Sequence, residues 1–471
     1  MVLIPVVPSP ANDSVSFLAP SRVRHGVLGF AAALAVITYV DRVCIAQAAP
    51  FIQKDLNLTS AQMGLAFSVF ALAYAIFEVP GGWLGDWIGP RKVLMRVVVM
   101  WSVFTAATGY AWNVASLVGA RFLFGAGEAG CFPNLTKAFM IWLPAAERTR
   151  GQAIMWLSSR WAGAFTPLLV IWVMTWLSWR NTFVLFGGLG VIWAIVFYRS
   201  FRDHPRDHPG VNAAELALLE DHPADATVRP QVPWRKLLAS RSVWLLWAQY
   251  FCLNYGWFFY VTWLPTYLRE TRGLELNQNA IMFWLEHVLR GHLTPELTRK
   301  VLLAALSGIP LLLGGFGCLL AGWVTPRLIR PLGGVSQTRK FLAIGGFTGA
   351  AGLLLGSFYV RDPLLAMLAM GFAGFCNDLT MPGSWSTCMD VGRKYVGTLS
   401  GSMNMIGATG AAVAPLVIGL ILDTTDRNWA LTFWISGVIY LLGGLCWLGI
   451  DPVTPIAEGE GESILKPGSQ E

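Results

Sequence analysis

The chain is 471 residues long, 55% hydrophobic and only 13% charged, with a formal net charge of +7 at pH 7. Soluble domains carry about 25% charged residues, so there is too little charge to clothe the three or so soluble domains such a length would otherwise build. With 22 tryptophans and 27 phenylalanines, rings suited to a membrane interface, and a mean hydropathy of +0.54, the composition excludes an ordinary soluble enzyme or nucleic-acid-binding protein and reads as a polytopic membrane protein.

The first twenty residues hold no Lys or Arg and are interrupted by Pro5, Pro8 and Pro10, which does not fit a cleavable signal peptide. A helix crossing a hydrocarbon core of about 30 Å needs about 20 apolar residues. Such runs are predicted at 26–50, 61–84, 91–111, 115–140, 148–176 and 181–200, and again at 241–268, 301–325, 339–359, 363–388, 395–421 and 428–449. The expected fold is therefore an all-α membrane protein of twelve transmembrane helices in two six-helix bundles, 26–200 and 241–449. Residues 1–25 precede the first bundle, 201–240 form a polar, proline-containing central loop, and 450–471 form a polar tail. A second insert, 270–300, reads as one or two short amphipathic helices within residues 281–300.

Basic residues orient the chain. Of the 34 Lys and Arg, 21 fall on the side of the two termini and 9 on the opposite side. That bias places both termini and the central loop in the cytoplasm and the second insert outside. The remaining four, Arg42, Arg121, Lys137 and Arg160, lie within predicted spans, all in the first bundle. One such charge costs about 2.5–3.5 kcal/mol near a helix centre, so each needs a partner or a wet cavity. Lys137 stands near the cytoplasmic end of its run and is expected to snorkel.

The seven cysteines lie inside apolar runs and the six histidines outside or at their edges, so neither a disulfide framework nor a metal cluster is expected. Proton chemistry within the membrane then falls to carboxylates: Asp41 and Glu128 in the first bundle, Asp378 in the second. None of the eight lysines follows a glycine, so there is no phosphate-binding loop of a nucleotide-driven pump. Neither a cofactor nor an enzymatic activity is expected. A membrane sensor would usually carry a soluble output domain, which the short tail from Asp451 does not supply.

Burial disfavours the charged form of a carboxylate, whereas a neighbouring guanidinium favours it. A proton and an organic anion can therefore compete for, or cooperate around, the same cations, which is the physical requirement for symport. Arg121 and Glu128 are seven residues apart on one helix face, about 10.5 Å along the axis, so Arg121 is expected to bond a group on the first or second span. The alternative for each buried charge is a structural ion pair. Asp378 is a candidate third proton or cation site, or else the partner of Arg42 or Arg160.

Between the second and third spans stands Gly82-Trp-Leu-Gly-Asp86-Trp-Ile-Gly89-Pro-Arg91-Lys92. It resembles the loop signature of the major facilitator superfamily and departs from it at Trp87 and Pro90. By that resemblance Gly82, Asp86 and Arg91 gate and stabilise without binding substrate. The matching loop of the second half, Gly322-Trp-Val-Thr-Pro-Arg327, keeps the glycine and arginine but lacks the acid. Gly397-Thr-Leu-Ser-Gly401 is a small-xxx-small pattern that lets helices approach closely.

Four stretches carry a finer resemblance: Thr38-Tyr39-Val-Asp41-Arg42, Phe67-Ser-Val-Phe-Ala-Leu-Ala-Tyr74, Arg121-Phe-Leu-Phe-Gly-Ala-Gly-Glu128-Ala-Gly-Cys-Phe-Pro133 and Trp257-Phe-Phe-Tyr260-Val-Thr-Trp-Leu-Pro265. Together they resemble the anion:cation symporter family, which includes bacterial galactonate and hexuronate carriers and sialin-type organic anion transporters. The resemblance implies that Asp41 and Glu128 couple protons and that Arg42 contacts the substrate carboxylate, with Tyr39, Tyr74 and Arg121 beside it. At the position of Arg160 galactonate-type carriers have a substrate-binding glutamine; an arginine could clamp a second carboxylate, a phosphate or a sugar hydroxyl pair. Gln249, Trp385 and Asn404 fall at or next to substrate-binding positions of that family, and Tyr255, Trp257 and Tyr260 add aromatic faces suited to a polyol chain.

The expected function is proton-driven import of a small organic anion, a sugar acid such as a hexuronate, aldonate or aldarate, by a monomer in the inner membrane, with the lipid bilayer and protons as its other partners. The rival within transport is an exchanger of organic anions or organophosphates, since two central arginines would serve that equally.

Overall fold

The computed structural model describes residues 19–219, 232–272 and 295–456, and every regular element among them is helical. The first set comprises α1 (Val23–Leu56), α2 (Ser60–Ile88), α3 (Pro90–Gly109), α4 (Val114–Glu128), α5 (Cys131–Trp142), α6 (Ala145–Val173) and α7 (Trp179–Ser200). Two short helices, α8 (Ala213–Leu219) and α9 (Trp234–Ala239), lie in the central segment. The second set comprises α10 (Arg241–Arg272), α11 (Pro295–Leu328), α12 (Val335–Tyr359), α13 (Pro363–Leu379), α14 (Met381–Gly392), α15 (Val396–Thr424) and α16 (Trp429–Gly449). Each predicted apolar run falls on one helix or on a consecutive pair. Among the described residues, nine stretches are long and apolar enough to cross a membrane. Of the insert predicted at 270–300, residues 273–294 lie outside the described residues, while 295–300 already belong to α11.

Helix starts follow local chemistry. Thr59 and Gln62 form a reciprocal capping box at α2, Asn113 and Ser116 another at α4, and Asp362 caps α13. Such side chains satisfy backbone N–H groups that have no partner inside the helix.

Two predicted runs are not continuous, so Glu128, midway along the run 115–140, ends a helix instead of lying inside one. The run 115–140 breaks after Glu128, and Gly130, with φ of 82°, starts α5. A left-handed backbone favours glycine, and a second constraint coincides with it, because a Cβ on Gly130 would stand 2.7 Å from the Cα of Gly81. Asn134 donates from Nδ2 to the carbonyls of Gly130 at 2.7 Å and Gly81 at 2.9 Å, pinning α2 against the break. The run 363–388 breaks likewise after Leu379, with Pro382 in the first turn of α14. Proline suits a first turn because its missing N–H is not needed there.

The two sets meet along backbone-to-backbone contacts. Gly82 of α2 faces the Gly397 carbonyl, and a Cβ on Gly401 would stand 2.7 Å from the Glu78 carbonyl. The small-xxx-small pattern thus packs α15 against α2.

The central segment is fastened to the first set. The Glu215 carboxylate of α8 accepts from the backbone N–H of Val23 at 3.2 Å and of Arg24 at 3.1 Å, and from the Ser21 hydroxyl at 2.5 Å. An acid from a distant helix thereby caps α1, where the positive end of the helix dipole favours it. Asp203 does the same for α3, accepting from Arg91 N at 2.8 Å.

Candidate functional site

The polar interior is organised around two arginines of the first set. Arg42 of α1 pairs through Nε with Glu128, the last residue of α4. Its guanidinium lies 4.4 Å from the Tyr74 ring centroid and 5.7–5.8 Å from those of Tyr39, Phe70 and Phe132. Aromatic faces stabilise a cation while leaving a planar fork able to grip a carboxylate. The Arg42 side chain is 21% exposed and the Glu128 side chain 1%, so the cation is the reachable member of the pair.

Arg160 of α6 is bound more completely. It makes a bidentate pair with Asp378 of α13, Nε to Oδ2 at 2.5 Å and Nη2 to Oδ1 at 2.8 Å. It also donates from Nη1 to the Tyr39 hydroxyl at 3.3 Å and stacks 4.2 Å from the Trp257 ring. Asn377 donates to the same carboxylate at 3.0 Å. Of the roles left open for Asp378, partner of Arg160 is the one this geometry realises. The Tyr39 side chain stands between the two arginines, its ring near Arg42 and its hydroxyl on Arg160.

Asp41 is fully buried and faces Glu128, the Trp101 indole and Arg121. Neither of its oxygens closes a hydrogen bond of ordinary geometry among the described residues, and Arg121 Nε and Nη1 are equally unsatisfied. Arg121 rests on Phe124 at 4.4 Å and Phe70 at 4.9 Å. It does not make the direct bond to a first- or second-span group that was expected, because its charged fork lies against rings rather than acceptors.

The second set contributes unevenly. Asn404 donates from Nδ2 to Tyr74 Oη and to Glu78 Oε1, both at 2.9 Å, and so joins α15 to α2 beside the Arg42 cage. Gln249 is held inside its own set: Oε1 accepts from Ser384 at 3.4 Å and Trp447 at 3.3 Å, and Nε2 donates to Leu246 O at 3.0 Å. Trp385 donates to Tyr250 Oη at 3.0 Å and packs on Trp156 at 5.3 Å. Both are fully buried. Tyr255 is buried beside Phe251, and the side chain of Tyr260 lies outside the described residues.

Glu78 was missed by the sequence reading. It is a fully buried acid of α2 bonded to the opposite set. The signal was available, since Phe77-Glu78-Val79 places a carboxylate inside the run 61–84.

At the end of the bundle where α1 begins and α16 finishes, the sets are cross-linked. Asp86 of α2 accepts from Gly397 N at 3.0 Å and from Thr398 N and Oγ1, both at 2.7 Å. Lys137 does not snorkel: its Nζ pairs with Asp86 at 2.8 Å and donates to Lys394 O at 3.0 Å, because its helix end faces α15. Arg148 of α6 pairs with Asp390 of α14, which also accepts from Arg339 Nη2 at 2.6 Å. Arg91 stays within its own set, donating to Tyr198 O at 3.1 and 2.5 Å.

The chain is similar to known proteins over most of its length. The model of the Major Facilitator Superfamily matches residues 31–415 and 339–469. The probable sulfoacetate transporter of Cupriavidus necator is 33% identical, covering 92% of this chain and 95% of that protein. The D-galactonate transporter of Escherichia coli is 29% identical, covering 92% and 97%. The hexuronate transporter of Bacillus subtilis is 29% identical, covering 90% and 92%. Among solved structures, the proton:xylose symporter XylE superimposes with a TM-score of 0.66 over 92% of this chain and 97% of that one, at 14% identity, a likeness of fold alone. An all-helical bundle with intramembrane charge pairs and a family match over most of its length makes this chain a multi-pass membrane transporter, and it belongs to the major facilitator superfamily.

Proposed function

We propose that the chain is a proton-coupled symporter that imports a small organic anion, a sugar acid of the hexuronate, aldonate or aldarate type, by alternating access. The reading rests on the Arg42–Glu128 pair beside the unsatisfied carboxylate of Asp41. Protonation of Glu128 would release Arg42 to a substrate carboxylate, and departure of the substrate would return Arg42 to Glu128, so anion and proton move together. Asp41, one residue from Arg42 and facing Glu128, is the second proton carrier, and Asp378 is a third when its pair with Arg160 opens. Tyr39 and Tyr74 line the substrate position, and Asn404 closes it from the second set. That relatives carry sulfoacetate, galactonate and hexuronate, all small organic anions, supports the substrate class.

In this reading twelve spans form two six-helix halves that rock about a site near the bilayer midplane, where broken helices are expected. The excess of Lys and Arg supports cytoplasmic termini in an inner membrane, with Asp86 and Asp390 as inter-half locks on the cytoplasmic face. A monomer holds the complete site.

The test is reconstitution in liposomes with an imposed inward proton gradient and labelled sugar acids. Accumulation should collapse with a protonophore, and Glu128→Gln should abolish it while counterflow exchange persists. Uptake that ignores the gradient but requires an anion inside would mean exchange and would reject proton coupling.

A further inference from the structure

We infer that the preferred substrate is a small dianion, an acid group at each end of a short chain, and that Asp378 occupies the place of its second acid group. The inference rests on the symport reading and narrows it.

Two guanidinium–carboxylate pairs flank one tyrosine. Arg42 holds Glu128 on the ring side of Tyr39, and Arg160 holds Asp378 at its hydroxyl. The two acids occupy matching places, Glu128 ending α4 and Asp378 next to last in α13, each at the break of its run. The C-terminal end of a helix carries partial negative charge, which disfavours a carboxylate there. Each arginine is therefore engaged by an acid that its own helix repels. A free carboxylate or sulfonate suffers no such repulsion and can displace it.

The second pair has a further property. Arg160 belongs to α6 and Asp378 to α13, so the pair joins the two sets of helices, whereas Arg42 and Glu128 lie in one set. Rocking of one set against the other pulls the Arg160–Asp378 pair apart. A buried guanidinium left without an anion is strongly unfavourable, and the bidentate fork of Arg160, backed by Trp257 at 4.2 Å, is already shaped for a carboxylate or sulfonate. A dianion with one group on Arg42 and the other on Arg160 satisfies both cations as the sets move. A monoanion leaves Arg160 bare and should be carried poorly. Glutamine at this position could bind hydroxyls but would make no such demand.

The experiment compares labelled galactarate with labelled galactonate, which share a six-carbon polyol chain and differ by one terminal carboxylate, in proton-driven liposome uptake. The wild-type protein should prefer galactarate by roughly tenfold to a hundredfold in kcat/KM, the scale of one charge-assisted hydrogen-bonded contact. Arg160→Gln should erase that ratio, because galactarate uptake falls further than galactonate uptake. Because the single variant strands Asp378, the Arg160→Gln/Asp378→Asn double variant, which buries no unpaired charge, should show the same loss of preference. Equal wild-type uptake of both acids, or an equal fall of both in each variant, would overturn the dianion inference and leave the symport reading standing. Gradient-independent uptake that still favours galactarate would overturn the symport reading alone.

Discussion

Asp86 of α2 caps a helix of the other set, its Oδ2 accepting from both the backbone N–H and the hydroxyl of Thr398 at 2.7 Å. The other oxygen takes Gly397 N at 3.0 Å and Lys137 Nζ at 2.8 Å. A carboxylate at a helix N-terminus satisfies free N–H groups and meets the positive end of the dipole, and here it does so between the two sets of helices, which part in the proposed transport cycle. The lock is made of hydrogen bonds, which re-form in register, rather than of apolar burial, which would resist opening.

Asp86→Ala removes the cap and strands Lys137, whose side chain is only 13% exposed. A lost cap costs about 0.5–2 kcal/mol, and losing the ionic contact adds to it. Asp86→Asn keeps an acceptor for Thr398 but no charge for Lys137. The expected order of thermal stability in detergent is parent, then Asn, then Ala. Equal melting of all three would mean that the contact does not hold the observed state.

The apolar runs were legible because hydropathy reports transfer into lipid, and each run is indeed helical. The breaks were not, because Gly125-Ala-Gly127-Glu128-Ala-Gly130 is a short stretch between apolar flanks, and glycine is common inside membrane helices. What marks the break is backbone conformation at Gly130 and its contact with Gly81, a neighbour that only the fold supplies. Arg160 was recognisable as an unusual charge, but its partner Asp378 lies 218 residues away, and nothing local distinguished it from Arg42 as the answer. Gln249 and Trp385 were picked by resemblance, yet their polar atoms are occupied by Trp447 and Tyr250. Glu78 is a single acid inside an apolar run, and its bond to Asn404 depends on the second set being in place.

Arg42→Lys tests the aromatic cage. Lysine keeps the charge over Tyr74 but replaces a planar fork by a point donor, so one bidentate grip on the substrate carboxylate is lost. Apparent affinity should weaken by about tenfold, the worth of one charge-assisted hydrogen bond, with protein yield and melting temperature near those of the parent. The quantity to measure is KM for sugar-acid uptake in liposomes; an unchanged KM would place the carboxylate elsewhere.

Glu215 gives the fold a pH dependence outside the spans. Burial alone would raise its carboxyl, but bonds from the Ser21 hydroxyl, from the Arg24 backbone and guanidinium and from Val23 N outweigh it and hold the group below its ordinary range. A depressed folded value means that this stabilisation is complete above the unfolded carboxylate value of about 4.3 and is lost as pH falls through the lower folded value. Glu215→Gln should therefore destabilise the fold at pH 7 on the scale of a lost cap, about 0.5–2 kcal/mol, and so lower its melting temperature. The gap between variant and parent should narrow as the pH is taken below 4. Melting curves in detergent at several pH values read this directly. A gap that persisted unchanged at low pH would mean that Glu215 acts through its shape and not through its charge on the first turn of α1.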